Sequence, residues 1–172
     1  VVFGRSIMYL GLNTFIVLYF MNHFHESQNF SNLLLSVYYG IGALFTLIGG
    51  KLGDKHGYRT FVRFGFLLAF PAALILAWTD SSILGILCLI ILGAALNLTY
   101  SPMVVLGQQY LPNRVGLASG ITLGLAVSVG GITAPLLGKV GDMYGLETTF
   151  YVIALITLIP LISSFTLPKP KK

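Results

Sequence analysis

The chain has 172 residues, of which 56% are hydrophobic and 9% charged, with a mean hydropathy of +0.88. Ten Lys and Arg and five Asp and Glu cannot cover the surface of a soluble domain, which carries about 25% charged residues. That argues against a soluble enzyme, a disordered tail or a secreted disulfide scaffold, and the single Cys88 has no partner for an internal disulfide.

Polar punctuation divides the sequence into six apolar segments, at about 1–22, 31–50, 60–78, 83–111, 115–139 and 148–167. Each is long enough to cross a bilayer, which takes about 20 apolar residues. None alternates in the way of a β-barrel strand. Helices are therefore expected, because a helix satisfies every backbone N–H and C=O inside the lipid. The chain opens at Val1 inside apolar sequence and is expected to continue upstream. Reading the first segment as a cleaved signal peptide is weaker, since it is long and has no small-residue cleavage site.

Basic residues fix the expected orientation. With the first segment running outward from the cytoplasm, Arg5, Lys51, Lys55, Arg59, Arg63, Arg114, Lys169, Lys171 and Lys172 fall inside, and Lys139 alone falls outside. Glu26, Asp80, Asp142 and Glu147 accompany it there. Both chain ends then face the cytoplasm. The net charge of +5 is a topology signal and not a sign of nucleic-acid binding. The lysine tail suits anionic lipid, which marks the bilayer itself as a partner.

Gly50-Lys51-x-Gly53-Asp54-x-x-Gly57 recurs as Gly138-Lys139-x-Gly141-Asp142-x-x-Gly145, 88 residues later. Each copy ends the middle segment of a triplet, and the expected topology puts the copies on opposite sides of the membrane. The fold expected is therefore all-α and membrane-integral, six helices in an inverted 3+3 repeat, an arrangement linked to transport by rocking of helical units.

The first copy, Gly50-x-Leu52-x-Asp54-Lys55-x-Gly57-x-Arg59, resembles the cytoplasmic loop motif of major facilitator superfamily transporters, where it joins the second and third helices of a six-helix half. The stretch from Gln108 through Pro112, Arg114 and Gly116 to Gly120, with Gly124 and Gly130-Gly131, is similar to the tenth-to-eleventh helix region of bacterial fosmidomycin-resistance-type efflux transporters. Arg5-Ser6 and Gly11-Leu12-Asn13-Thr14-Phe15-Ile16 resemble their seventh helix. The resemblance implies that residues 1–172 form the C-terminal half of a twelve-helix fold, partnered by an N-terminal six-helix half. It also implies alternating-access export of a small drug-like or anionic molecule from a bacterial inner membrane, hence efflux and antibiotic resistance. It further implies that the loop at Gly50, Asp54, Lys55, Gly57 and Arg59 gates the cytoplasmic side.

Polar groups within the hydrocarbon point to a pathway, because they are expensive there. At about 100° per residue, Arg5, Tyr9, Asn13 and Ser6 share one arc of the first helix. Asn97, Ser101 and Gln108 share another on the fourth, with Tyr100 beside them, provided Pro102 does not rotate the register. The resemblance makes these the cavity-lining helices, so Arg5, Tyr9, Asn13, Asn97, Tyr100 and Ser101 are the candidate pathway residues. Arg5 lies about 26 Å down the helix from Asn22, where it either snorkels to the interface or meets an anionic substrate group. Pro71, Pro102, Pro135 and Pro160 can each kink their span. Gly116, Gly120 and Gly124, with Ser128, form a smooth stripe for helix packing, either within this unit or against the other half.

The five carboxylates all fall in loops or at helix ends. If protons drive transport, their binding site is expected in the other half. His23-x-His25-Glu26 reads as a solvated loop and not a metal site, since zinc wants three or four ligands. No cofactor loop, catalytic triad or catalytic residue is evident, and no enzyme is expected. A self-contained six-helix protein, working as a homo-oligomer or as a non-transporting assembly factor, is the alternative.

Overall fold

The computed structural model describes residues 1–168, without the side chain of Leu125; Lys169, Lys171 and Lys172 of the basic tail lie outside the described residues. Six helices are long and apolar enough to cross a membrane: Val2–His23, Gln28–His56, Tyr58–Trp78, Ser82–Tyr110, Pro112–Tyr144 and Leu146–Phe165. They are called the first to sixth helices below, and no strand occurs among the described residues. Large apolar side chains cover the outside, with Trp78, Leu47 and Ile83 each at least 74% exposed. Such a surface suits lipid and is untenable in water.

The helices run further than their apolar segments. Residues 51–56, expected in a loop, complete the second helix, and the connection to the third is Gly57 alone. Lys51, Asp54 and Lys55 are exposed, so they extend the helix beyond the lipid at no desolvation cost, and the loop motif is mostly a helix end. Gly57 has φ +91°, a conformation costly for any residue with a Cβ, and its N–H bonds the Gly53 carbonyl at 2.9 Å. Gly145 repeats this geometry with φ +91° and a 2.9 Å bond to Gly141.

The packing obeys the same 88-residue relation. The second helix packs on the fourth and the fifth on the first; the third packs on the fourth and the sixth on the first; the third and sixth pack on each other. Exchanging the two triplets leaves this pattern unchanged. The crossings correspond too. A Cβ on Gly42 would stand 2.6 Å from Nδ2 of Asn97, and one on Gly130, 88 residues on, would stand 2.2 Å from Cδ1 of Leu10.

Two of the four prolines break their helices. The fourth helix breaks at Thr99, three residues before Pro102, and the sixth at Thr157, three before Pro160. Pro71 and Pro135 lie within continuous helix. The fifth helix instead carries a π-helical stretch at Gly120–Leu125, a local widening often found at functional sites.

At the basic end, the third helix ties down the end of the sixth. Arg63 donates from Nε to the Ser164 carbonyl (3.1 Å) and from Nη2 to that of Phe165 (3.0 Å), while Arg59 donates to Leu167. Cationic groups at a helix C-terminus satisfy its free carbonyls and oppose its dipole. Arg59, the last residue of the motif, therefore serves as a brace between two helices.

Candidate functional site

A cavity of about 390 Å³ lies between the first, second, fourth and fifth helices. Of the candidate pathway residues it brings together Arg5, Tyr9, Asn97 and Tyr100, along with Ser6. The remaining two are placed elsewhere. Ser101 turns to the second helix, where its Oγ would stand 2.9 Å from a Cβ on Gly50. Gln108 bonds the Ser119 hydroxyl at 3.0 Å. Asn97, beside Gly42, and Ser101, beside Gly50, both lie against the second helix, but of the two it is Asn97 that lines the cavity. Asn13 keeps the cavity-facing angle of the first helix but sits one turn beyond the last lining residue, Leu10. Its buried Oδ1 has no hydrogen-bond partner among the described residues.

Arg5 does not snorkel. It is 6% exposed, and its Nε donates to the Leu96 carbonyl at 2.9 Å. That carbonyl, one turn before the break, also accepts from Thr99 Oγ1 at 2.8 Å. The guanidinium carbon lies 5.2 Å from the Tyr9 ring centre and 4.6 Å from that of Tyr100. Two aromatic faces and one carbonyl thus hold a full positive charge inside the bundle. Cation–π contacts contribute up to about 2 kcal/mol when desolvated, which lowers the cost of burial without neutralising the charge. Among the described residues no carboxylate pairs with Arg5, and its two Nη groups have no hydrogen-bond partner. A cavity with this lining can accept an anion.

The second and fifth helices supply cavity residues that the sequence alone did not single out, among them Tyr39, Thr46, Thr122 and Ala126. The two threonines were visible as polar groups in apolar spans. What pointed away from them was their ability to bond backbone of their own helix, as Thr46 does to Gly42 (2.9 Å) and Thr122 to Ala118 (2.8 Å).

The glycine stripe does not pack these six helices together. Among the described residues, a Cβ placed on Gly116, Gly120 or Gly124 would meet nothing within 4 Å, so these glycines face open space there. The second and fifth helices, with 22% and 24% of the residues in an 18-residue apolar stretch buried, are also the least covered of the six.

At the other end of the bundle, His23 corrects the expectation of a solvated loop. It ends the first helix, with its side chain 13% exposed, and its ring bridges the Glu147 carboxylate (2.8 Å) and the Thr79 carbonyl (3.0 Å). Tyr19 stacks between it and Phe150, at 4.9 and 3.9 Å. The ends of the first, third and sixth helices are joined through this ring. Its neighbour Glu26 bonds Ser82 at 2.5 Å. His23→Ala is expected to lower stability by about 2 kcal/mol, the loss of a hydrogen bond to a charged group together with the stacking on Tyr19. Thermal unfolding in detergent measures this.

Six helices long and apolar enough to cross a membrane, related three by three and enclosing an arginine-lined cavity, form the kind of inverted repeat on which many transporter folds are built. The chain matches the Major Facilitator Superfamily over residues 1–172, and it belongs to that family. It is 32% identical over 163 residues to the uncharacterized MFS-type transporter YfnC of Bacillus subtilis, covering 94% of this chain and 39% of that protein. It is 31% identical over 165 residues to the fosmidomycin resistance protein of Escherichia coli, covering 95% and 40%. The chain thus spans about 40% of the length of these curated relatives. A mutant of the peptide transporter POT in complex with alafosfalin shares the fold, with a TM-score of 0.87 at 20% identity over 98% of this chain and 36% of that one.

Proposed function

We propose that residues 1–172 are the C-terminal six-helix half of a bacterial inner-membrane secondary transporter that exports a small drug-like or anionic molecule by alternating access. The enclosed, unneutralised Arg5 is the observation that carries this reading. A largely buried guanidinium that lies away from carboxylates and has unpaired donors at the cavity is stabilised most by an anion entering beside it. The 31% identity to a fosmidomycin resistance protein supports export as the direction. It makes fosmidomycin the first compound to try.

In this reading the first and fourth helices line the pathway, with Arg5, Tyr9, Asn97 and Tyr100 at the cavity, Asn13 one turn beyond it and Ser101 against the second helix. The face with Gly50, Asp54, Lys55, Gly57 and Arg59 is cytoplasmic and gates that side, and both chain ends lie there. Transport needs no cofactor, and any driving proton binds in the N-terminal half, since the described carboxylates stand at helix ends. The partner half covers the second and fifth helices, whose open faces include the stripe at Gly116, Gly120 and Gly124. Small residues there permit close approach and sliding of one half on the other.

Cells expressing the full-length protein are expected to export the substrate, and efflux is lost on collapse of the proton gradient if protons drive it. Undiminished accumulation across a fosmidomycin and organic-anion panel contradicts the reading. Gly120→Leu tests the interface. The new side chain meets open space within this chain, yet it is expected to slow transport by about tenfold through a clash of about 1–3 kcal/mol with the other half. Transport at the unsubstituted rate would remove the stripe from the interface.

A further inference from the structure

We propose that Asn97 makes the cavity selective for anions that also carry a hydrogen-bond donor, a hydroxyl or an N–H. The proposal rests on the reading of this cavity as the anion site and adds a second recognition point to it.

The orientation of the Asn97 carboxamide is fixed. Its Nδ2 donates to the Gly93 carbonyl at 2.8 Å. Turned over, the amide would set Oδ1 against that carbonyl oxygen, two acceptors facing each other. Gly42 makes room for this placement, since a Cβ there would approach Nδ2 to 2.6 Å. The Oδ1 atom is therefore directed away from Gly93. Asn97 is 8% exposed and lines the cavity, and among the described residues nothing donates to Oδ1.

The other polar lining groups do not substitute for it. Arg5 has donors only. The hydroxyls of Ser6, Tyr9, Tyr39, Thr46, Tyr100 and Thr122 rotate and can either donate or accept, and those of Thr46 and Thr122 are committed to the Gly42 and Ala118 carbonyls. Apart from the weakly accepting Met103 sulfur, Asn97 Oδ1 is the acceptor-only side-chain atom among the described lining residues. A bound acid displaces water from the cavity and takes the Arg5 donors. Unless the same molecule brings a donor, Oδ1 is then left desolvated and unpaired, the condition that makes a polar site reject analogues lacking the matching group.

The test uses the full-length transporter in lipid nanodiscs and isothermal titration of monoanions paired by replacing a hydroxyl with fluorine, similar in size but unable to donate. Suitable pairs are 3-hydroxybenzoate and 3-fluorobenzoate, the 4-substituted phenylacetates and the 4-substituted phenylpropanoates, which vary the distance from acid to donor. In at least one pair the hydroxy acid is expected to bind about tenfold tighter or more. Asn97→Leu is expected to bring both members to equal affinity, and Arg5→Gln to weaken both in parallel. Equal affinities within every pair on the unsubstituted protein overturn the proposal with no variant involved. A hydroxyl preference that survives Asn97→Leu overturns it as well. The cavity reading fails separately, and takes the proposal with it, if no probe binds or if Arg5→Gln leaves acid binding unchanged.

Discussion

Arg5→Ala is expected to reduce transport by the full-length carrier by about two orders of magnitude or more while the protein still accumulates in the membrane. Truncating one partner of a buried charged contact costs about 2–5 kcal/mol, and each 1.4 kcal/mol is a factor of ten. The fold survives because the guanidinium is tied to one carbonyl, that of Leu96, which keeps Thr99 Oγ1 as a donor. Arg5→Lys retains the charge but loses the planar stacking on Tyr9 and Tyr100 and the fixed fork, so an intermediate rate is expected. Initial transport rates normalised to protein in the membrane give the comparison. Rates for Arg5→Ala equal to those of the unsubstituted protein would take Arg5 out of the pathway.

Gly49→Ala is expected to destabilise the bundle by about 3 kcal/mol, the upper part of the range for an inserted methyl in a packed interior. A Cβ at Gly49 would stand 2.3 Å from the Leu98 carbonyl oxygen. That oxygen belongs to backbone and cannot swing aside. It is also the carbonyl that Pro102, having no N–H, leaves without its helical donor. The second and fourth helices cross here, so separating them disturbs the wall of the cavity as well. Gly40→Ala on the same helix is the control: nothing lies within 4 Å of its Cβ position, and helix propensity alone favours alanine by about 1 kcal/mol. Unfolding of the purified variants should place Gly49→Ala well below the parent and Gly40→Ala at or above it.

The six helices were legible because a bilayer demands long apolar runs, and the repeat was legible because Gly57 and Gly145 occupy one backbone conformation that few other residues adopt. Helix ends were less so. Hydropathy marks where lipid stops, whereas the second helix continues through Lys51, Asp54 and Lys55 into water and stops only at Gly57. Periodicity placed Arg5, Tyr9 and Asn13 on one face correctly, but an angle carries no depth, and Asn13 lies a turn past the cavity. On the fourth helix the shared arc did not decide which residues reach the cavity: Asn97 and Tyr100 line it, whereas Ser101 lies against Gly50 of the second helix. His23 was hidden for another reason. Its partners, Glu147 and the Thr79 carbonyl, are 124 and 56 residues away in sequence, and no local pattern announces them.

Transport by alternating access requires the cavity around Arg5 to open to both sides of the membrane. Ala126 lines it and is 5% exposed. In full-length protein with the buried Cys88 and every cysteine outside residues 1–172 replaced by serine, Ala126→Cys supplies a single thiol for a membrane-impermeant maleimide. Labelling from each face in turn is expected, with substrate on one side shifting the balance toward the other. A thiol reached from one face only under every gradient and substrate condition would contradict transport through this cavity.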